Sequence, residues 1–326
     1  MLPNRAISLD VLTLDYPDAL ERPGQGPSVV AIGMFDGLHR GHRGVIRAAR
    51  DRARALGVPC TVFTFVGHPR AILRPEDPPS LLTPWDEKVR VLACEEVDRL
   101  VGAHFTHDFS RIEPEAFIDQ ILCSHLAARE VVVGYNFAFG RAQGGSVETL
   151  REAGQVRGFG VTVVSPVEHE GAPVSSTRIR QLLVEGRVEA VASLLDRPYM
   201  LSGTVVQGDQ RGRLLGFPTA NLDVASTKQL PAFGVYAGRA RWRDRDWPTV
   251  INLGVRPTFG VPTLRVEAHL LGFEGDLYGE HMTLELEHRL RPEQAFPGVD
   301  ALVAQIRLDA DEAGHRLGVS LPGETA

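Results

Sequence analysis

Val29-Val30-Ala31-Ile32, followed at once by Gly33-Met34-Phe35-Asp36-Gly37-Leu38-His39-Arg40-Gly41-His42, is the stretch whose reading decides the fold. The first four residues form an apolar, mostly β-branched run. From Arg40 to Leu56 the apolar residues Val45, Ile46, Ala49, Ala53 and Leu56 recur with helical period. A strand, a glycine-punctuated turn and a helix start make a ready anion site, because free backbone N–H groups and the helix dipole both favour negative charge there. His39 and His42 lie three apart, so a helical first turn carries both on one face. Gly41 between them leaves room for a phosphate to approach. Two imidazoles beside a polyphosphate can donate hydrogen bonds and share its charge. The same spacing also fits a plain turn with two solvated histidines, and the turn alone does not separate these readings.

Outward from that turn, strands and helices alternate. Val29–Ile32, Thr61–Phe65, Glu130–Val133 and Val161–Val164 read as short buried strands. Arg40–Leu56, Pro84–Cys94, Pro114–Leu126, Ser146–Arg157 and Ser176–Leu183 read as helices, two of them entered at a proline. Strands separated by helices predict an α/β fold with a parallel, doubly wound sheet, whose ligands sit beyond the carboxyl ends of the strands. The turn after Ile32 falls at such an end, as do the loops after Phe65 and Val133.

Near Gly186 the pattern changes. A short helix, Val188–Leu195, leads to Arg197-Pro198, a boundary. Beyond it come the alternating runs Gly203–Val206, Gly234–Arg241, Val250–Leu253, Leu264–Leu271 and Met282–Glu287. Turn residues at Gly208-Asp209, Asp244, Gly254, Pro257 and Gly275-Asp276 separate them. Their spacing predicts an antiparallel barrel or sandwich, and Val299–Leu317 predicts a final helix packed on it.

The 326 residues exceed a usual single core, so two domains are expected. A formal charge of −6 with scattered arginines leaves no basic footprint for nucleic acid. Cys60, Cys94 and Cys123 match neither a disulfide framework nor a zinc spacing, which suits a reducing cytoplasm. The first twenty residues show no signal peptide, and no apolar run approaches the ~18 residues of a membrane span. A soluble cytoplasmic protein is expected.

Further constellations converge on a nucleotide. His68-Pro69 follows a strand end, though a surface histidine in a turn explains it equally. Asn136, within Gly134–Gly140, can donate and accept toward a ring edge or ribose. Ser175-Ser176-Thr177-Arg178-Ile179-Arg180 sets hydroxyls at a helix start and cations one turn on, which suits phosphate oxygens as well as a plain N-cap. In the second part, Gly203–Gly208 runs on to Gly212–Asn221, where glycines let backbone wrap a phosphate. Thr219 and Asn221, two apart in extended chain, offer neutral hard oxygens suited to Mg²⁺ held partly by nucleotide phosphates. Glu267, in an alternating run, is a candidate general base, or one polar residue on a solvated strand face.

Taken in order, these segments resemble the bacterial bifunctional riboflavin kinase/FAD synthetase (FMN adenylyltransferase) family over nearly the whole chain. Gly33–His42, Thr64–Pro69, Leu82-Thr83 with Lys88, Gly134–Gly140 and Ser175–Arg180 resemble the adenylyltransferase module. Gly203–Leu222, Gly234–Tyr236, Gly254–Phe259, Val266–Leu271, Asp276–Gly279 and Leu290–Glu293 resemble the kinase module. Gly67 and Glu96 depart from the family's usual residues, outside the positions given a chemical role.

The resemblance implies a Rossmann-like nucleotidyltransferase domain with a parallel sheet at 1–186, a linker at 187–198, and a riboflavin kinase β-barrel with a C-terminal helix at 199–326. It implies phosphorylation of riboflavin to FMN, then adenylylation of FMN to FAD with release of pyrophosphate, with ATP as co-substrate and Mg²⁺ as cofactor. Glu267 is then the base of the kinase, with Thr219 and Asn221 at the metal. Gly208, Arg213, Gly216, Pro218 and Arg291 border ATP and flavin. His39 and His42 serve adenylyl transfer, with Gly33, Phe35, Asp36, Gly41, Asn136, Ser176, Thr177 and Arg180 around nucleotide and phosphates. Small molecules are the expected partners of a monomer or weak homo-oligomer, with no nucleic acid and no membrane. An enzyme with one live module, and a non-catalytic flavin or nucleotide sensor, are the competing readings; intact motifs in both halves and the retained Glu267 speak against them.

Overall fold

The computed structural model describes residues 9–18, 26–208, 212, 215–258 and 261–319, and its chain divides into two compact units, Met1–Ser176 and Thr177–Ala326. The first unit is built on a six-stranded, all-parallel sheet of β1 (Asp10–Leu14), β2 (Ser28–Ile32), β3 (Cys60–Phe65), β4 (Arg99–Ala103), β5 (Ala128–Gly134) and β6 (Gly160–Val164), in the order β1-β4-β3-β2-β5-β6. The β2 strand is buried throughout, as a central parallel strand covered on both faces must be.

Helix α1 (Arg40–Leu56) starts because His39 leaves the turn with extended backbone and its ring accepts the His42 backbone N–H; it stops at Gly57, which adopts the left-handed conformation. Its face of Val45, Ile46, Ala49 and Ala53 is buried. Four more helices follow in chain order: α2 (Arg70–Leu73), α3 (Trp85–Ala93), α4 (His107–Ser110) and α5 (Pro114–Ala116). The last runs into a stretch, Phe117–His125, that winds as a π-helix and closes with Leu126 N–H donating five residues back to Ile121. A two-stranded hairpin, β7 (Glu168–His169) with β8 (Ala172–Pro173), follows α6 (Val147–Arg157), whose Ser146 and Thr149 form a capping box.

The sequence reading missed the β7–β8 hairpin and, among the strands of the parallel sheet, β1 and β4. Each is five residues long, and Gly102 in β4 reads as a breaker. It is instead a packing site: a Cβ there would lie 2.2 Å from the Trp85 ring, so only glycine lets α3 seat its indole on the strand.

In the second unit, α7 (Ser176–Val184) and α8 (Val188–Leu195) precede a closed antiparallel barrel. Its strands are β9 (Tyr199–Val206), β10 (Ala220–Val224), β11 (Gly234–Trp242), β12 (Arg245–Thr258), β13 (Val261–Leu270) and β14 (His281–Arg291), in the order β10-β13-β12-β11-β14-β9. Closure removes every free strand edge, and a barrel rather than a sandwich is therefore what the alternating runs make. The α8 helix is tied to the barrel by Glu189, whose carboxylate accepts the Arg289 backbone N–H. Helix α9 (Val299–Leu317) packs Ala310, Ala313 and Leu317 against Val235, Ala237, Val250 and Leu271.

Gly254 and Pro257 do not end a strand as expected. The β12 strand runs through both, because it pairs with β13 from Thr249 opposite Leu270 to Thr258 opposite Val261. Gly254 instead makes way for the Glu293 carboxylate, which a Cβ would meet at 2.1 Å. Among the described residues, no helix is long and apolar enough to cross a membrane.

Gly102→Ala should cost about 1–3 kcal/mol of stability through overpacking against Trp85. Urea unfolding measures this, and an unchanged midpoint would contradict the packing described.

Candidate functional site

In the first unit, the chain passes from β2 outward through β3 to β4 and then returns to place β5 on the other side of β2. Open parallel sheets bind ligands at such a reversal, beyond the carboxyl ends of the strands, here β2 and β5. The Gly33–Leu38 turn leaves β2 there, and the Gly134–Gly140 loop leaves β5.

The turn is strained and held. Phe35, Gly37 and Leu38 all have positive φ, at 46°, 85° and 44°. Two of these are not glycine, so the surroundings must enforce the shape. Asp36 supplies the enforcement: it is buried, and its carboxylate accepts the backbone N–H groups of Leu82 at 3.1 Å and Thr83 at 3.0 Å. The Thr83 hydroxyl in turn accepts from Gly37 N–H at 2.9 Å. Asp36, expected at the nucleotide, thus spends its carboxylate on shaping the turn that would meet it. Ser176 does the same from the other side, its hydroxyl donating to the Asp36 carbonyl at 2.9 Å.

His39 is 5% exposed and stacks on His42 with ring centroids 3.6 Å apart, while Phe35 meets His42 edge-on. These are not solvated histidines. The His39 Nδ1 accepts from His42 N–H at 3.3 Å, and the buried His42 Nδ1 has no hydrogen-bond partner. Burial, followed by the charges of His39 and Lys88, pushes the His42 pKa well below its ordinary 6.5. The folded ring thus resists the proton, and one of its nitrogens is unused. At Gly41 a Cβ would lie 3.1 Å from the His39 ring, so the glycine makes room for an imidazole. Gly33 likewise accommodates the Phe35 ring, at 3.0 Å. Asn136 is exposed on the loop after β5; Thr177, exposed, and Arg180, half-buried, lie on α7 in the second unit.

Sequence reasoning gave no role to Lys88. It is 1% exposed, and its ammonium donates to the carbonyls of Met34 and Phe65, both at 2.9 Å, and to the Thr64 hydroxyl at 3.3 Å. The signal was its spacing, three and four residues before the buried Val91 and Leu92, on the inner face of α3.

The second unit carries its own site. Asn221 stands opposite Glu267 where β10 pairs with β13, and Glu267 stands opposite Asn252 where β13 pairs with β12. Directly opposed residues share a sheet face, so an amide, a carboxylate and an amide form one row. The Glu267 carboxylate is 3.2 Å from Arg265 and 3.5 Å from the Asn252 amide nitrogen. The row lines a cavity of about 390 Å³, walled on its apolar side by Phe217, Phe296, Leu302 and Ile306. A neighbouring cavity of about 520 Å³ is lined by Pro218, Phe273, Asp276 and Tyr278. Thr219 lines both. Among the described residues, no cluster of three histidine, cysteine or acidic side chains could cage a metal, so any cation here leans on neutral oxygens and on its ligand.

Gly208 serves Asn221 directly: a Cβ there would lie 2.3 Å from the amide. Gly216, with φ of 86°, turns the loop that brings Phe217 and Pro218 to the barrel. Arg291 is at the cavity but its guanidinium is gripped by Asp309 of α9 through bonds of 2.9 and 2.7 Å. Arg213 lies outside the described residues. Asn252 and Asp309 had no motif to announce them, because strand register and helix docking bring them in.

Residues 21–178 match the family described as FAD synthetase, and residues 195–317 the family described as riboflavin kinase. The chain is 35% identical over 304 residues to the bifunctional riboflavin kinase/FMN adenylyltransferase of Escherichia coli (strain K12), covering 93% of this chain and 97% of that one. It is 33% identical over 309 residues to the protein of the same name in Bacillus subtilis (strain 168), covering 94% and 97%. A solved Streptococcus pneumoniae structure titled a macrolide-efflux protein is similar with a TM-score of 0.83 and 30% identity, over 93% of this chain and 98% of that one.

Unfolding frees His42 to protonate near its ordinary pKa, while the folded ring resists the proton. Stability from the neutral ring is therefore complete above pH 6.5 and declines as pH falls from there toward the folded pKa. An NMR titration should show the His42 ring ionising well below pH 6.5; a midpoint at or above that value would overturn the buried, neutral assignment.

Proposed function

The chain belongs to the bifunctional riboflavin kinase/FMN adenylyltransferase family, and we propose that Glu267 with Thr219 and Asn221 performs the phosphorylation while His39 and His42 serve the adenylylation. The enzyme converts riboflavin to FMN with ATP, then FMN to FAD with a second ATP and release of pyrophosphate.

In the kinase step, the terminal ribityl hydroxyl attacks the γ-phosphorus, its proton passes to a base, and the bond to the ADP bridging oxygen breaks. An alcohol needs such a base, and the rest of the catalysis is positioning and charge neutralisation. The observation that carries the assignment is the row Asn221, Glu267, Asn252 in a cavity that shares Thr219 with its neighbour. The larger cavity suits ATP, and the one walled by Phe217 and Phe296 suits a flat tricyclic ring with Arg291 at its border. Phosphate and hydroxyl would then meet near Thr219, within reach of Glu267. Gly208, Gly216 and Pro218 shape the approach to the phosphates, and Arg213 is assigned to the same ligands. The half-buried Asn221 and exposed Thr219 fit Mg²⁺, since they add neutral hard oxygens without closing a cage. When bound, Mg²⁺ would offset phosphate charge there.

In the adenylylation, the FMN phosphate is already anionic. It attacks the α-phosphorus of ATP, and the bond to the pyrophosphate bridging oxygen breaks, with no proton to remove. The demand is for donors around the α-phosphate and the leaving group. His39 and His42 fit it as ring N–H donors on a preshaped turn, and the unused His42 nitrogen supports this reading. Gly33, Phe35, Asp36 and Gly41 set the turn, Ser176 braces it, and Asn136 completes the nucleotide contacts. The reading keeps 1–186 as the adenylyltransferase domain, 187–198 as linker and 199–326 as the kinase, in a cytoplasmic monomer or weak homo-oligomer.

Glu267→Gln should abolish FMN formation from riboflavin while FAD still forms from supplied FMN. Chromatography of the flavins reads both at once, and loss of FAD formation in a folded variant would contradict the division of labour. His39→Ala should do the reverse and let FMN accumulate; normal FAD synthesis would remove that histidine from the reaction.

A further inference from the structure

The first unit contains an ammonium group that the two reactions leave unexplained. Lys88 is sealed beneath the histidine turn on α3, yet a hydrophobic residue there would avoid the cost of burying a charge. Its three acceptors come from two separate strand ends. The Met34 carbonyl belongs to the turn after β2, while the Thr64 hydroxyl and Phe65 carbonyl close β3. Thr64 reinforces the link by donating to the same Met34 carbonyl at 2.9 Å. One cation thus clamps the anion-facing turn to its neighbouring strand, and Asp36 clamps the same turn to Leu82 and Thr83.

We propose that Lys88 is a positioning residue for adenylyl transfer, its buried ammonium locking the Gly33–Leu38 turn to the end of β3 and setting a fixed positive charge behind His39 and His42. The inference rests on the assignment of those histidines to that reaction, which His39→Ala tests separately. Lys88 reaches no solvent, so its contribution passes through the turn and the field rather than through contact with phosphate.

The electrostatics agree with the geometry. Burial lowers the Lys88 pKa to about 8, against the opposing pull of Asp36. The positive charge of Lys88 in turn helps keep His42 unprotonated. The charged and titratable groups around it are Asp36 from the turn, His39 and His42 from the start of α1, and Glu87, itself buried, on its own helix. The ammonium form is populated below about pH 8 and lost above it, while His42, whose pKa is lowered from 6.5, does not titrate near that pH. The second-order rate constant for FAD formation should therefore fall on an alkaline limb near pH 8, since such profiles report groups of the free enzyme.

The test uses the full chain, supplied with FMN, ATP and Mg²⁺. Lys88→Met keeps the aliphatic stem and removes the charge. It should lower FAD formation by about a hundredfold, the scale of losing one preorganised electrostatic group, and the residual activity should lack the limb near pH 8. Riboflavin phosphorylation in the same molecule should persist. FAD formation within about threefold of the parent, or an unmoved alkaline limb in the variant, overturns the proposal. Circular dichroism shows whether the variant is folded. Should it unfold, Thr64→Val removes one acceptor and leaves the charge: the limb should then move to lower pH, and an unmoved limb is equally fatal. Loss of activity with the limb intact marks a packing role alone, and an inactive His39→Ala beside a normal Lys88→Met leaves the site assignment standing without the lysine.

Discussion

An ammonium group removed from water must find oxygen, and in this protein the ends of two parallel strands supply it. Lys88 cannot be satisfied unless the Met34 carbonyl, the Thr64 hydroxyl and the Phe65 carbonyl converge on one point. That convergence fixes where the chain leaves β2. The departure in turn sets the positive-φ path through Phe35, Gly37 and Leu38, and so the place where His39 caps α1. Asp36 serves the same end with opposite charge, accepting backbone donors from Leu82 and Thr83. The Gly33–Leu38 turn is held in place because Lys88 and Asp36, both buried, need it to be where it is.

The barrel solves its positioning problem by register. A one-residue slip between β10 and β13 would send Asn221 to the opposite face from Glu267, because side chains alternate with period two. Closure of the barrel and the packing of α9 on Val235, Val250 and Leu271 oppose such a slip. The glycines are placed accordingly: Gly208 yields space to the Asn221 amide, and Gly254 to the Glu293 carboxylate. Chemistry and packing draw on the same positions.

Much of this was legible from local pattern. The buried run Val29–Ile32, the apolar face of Arg40–Leu56 and the glycine turn between them contain their own instructions, since strand, turn and helix each follow from near neighbours. Where sequence reading failed, a distant partner made the difference. Gly102 reads as a breaker until Trp85 occupies its missing side chain. Gly254 and Pro257 read as a turn until the pairing with β13 carries β12 through them. Lys88 entered only as part of a motif with no role of its own, although its spacing from Val91 and Leu92 placed it on the buried face of α3.

The sequence by itself determined the alternating α/β part, the antiparallel part that follows it and the main helices, because periodicity, capping and turn chemistry act over a few residues. The motif order was enough to identify the family. Only the tertiary structure decided the lowered pKa of His42, the structural use of the Asp36 carboxylate, and the arrival of Asn252 and Asp309 beside residues far from them in the chain. Burial, strand register and the field of neighbouring charges depend on which segments meet, and no local pattern carries that information.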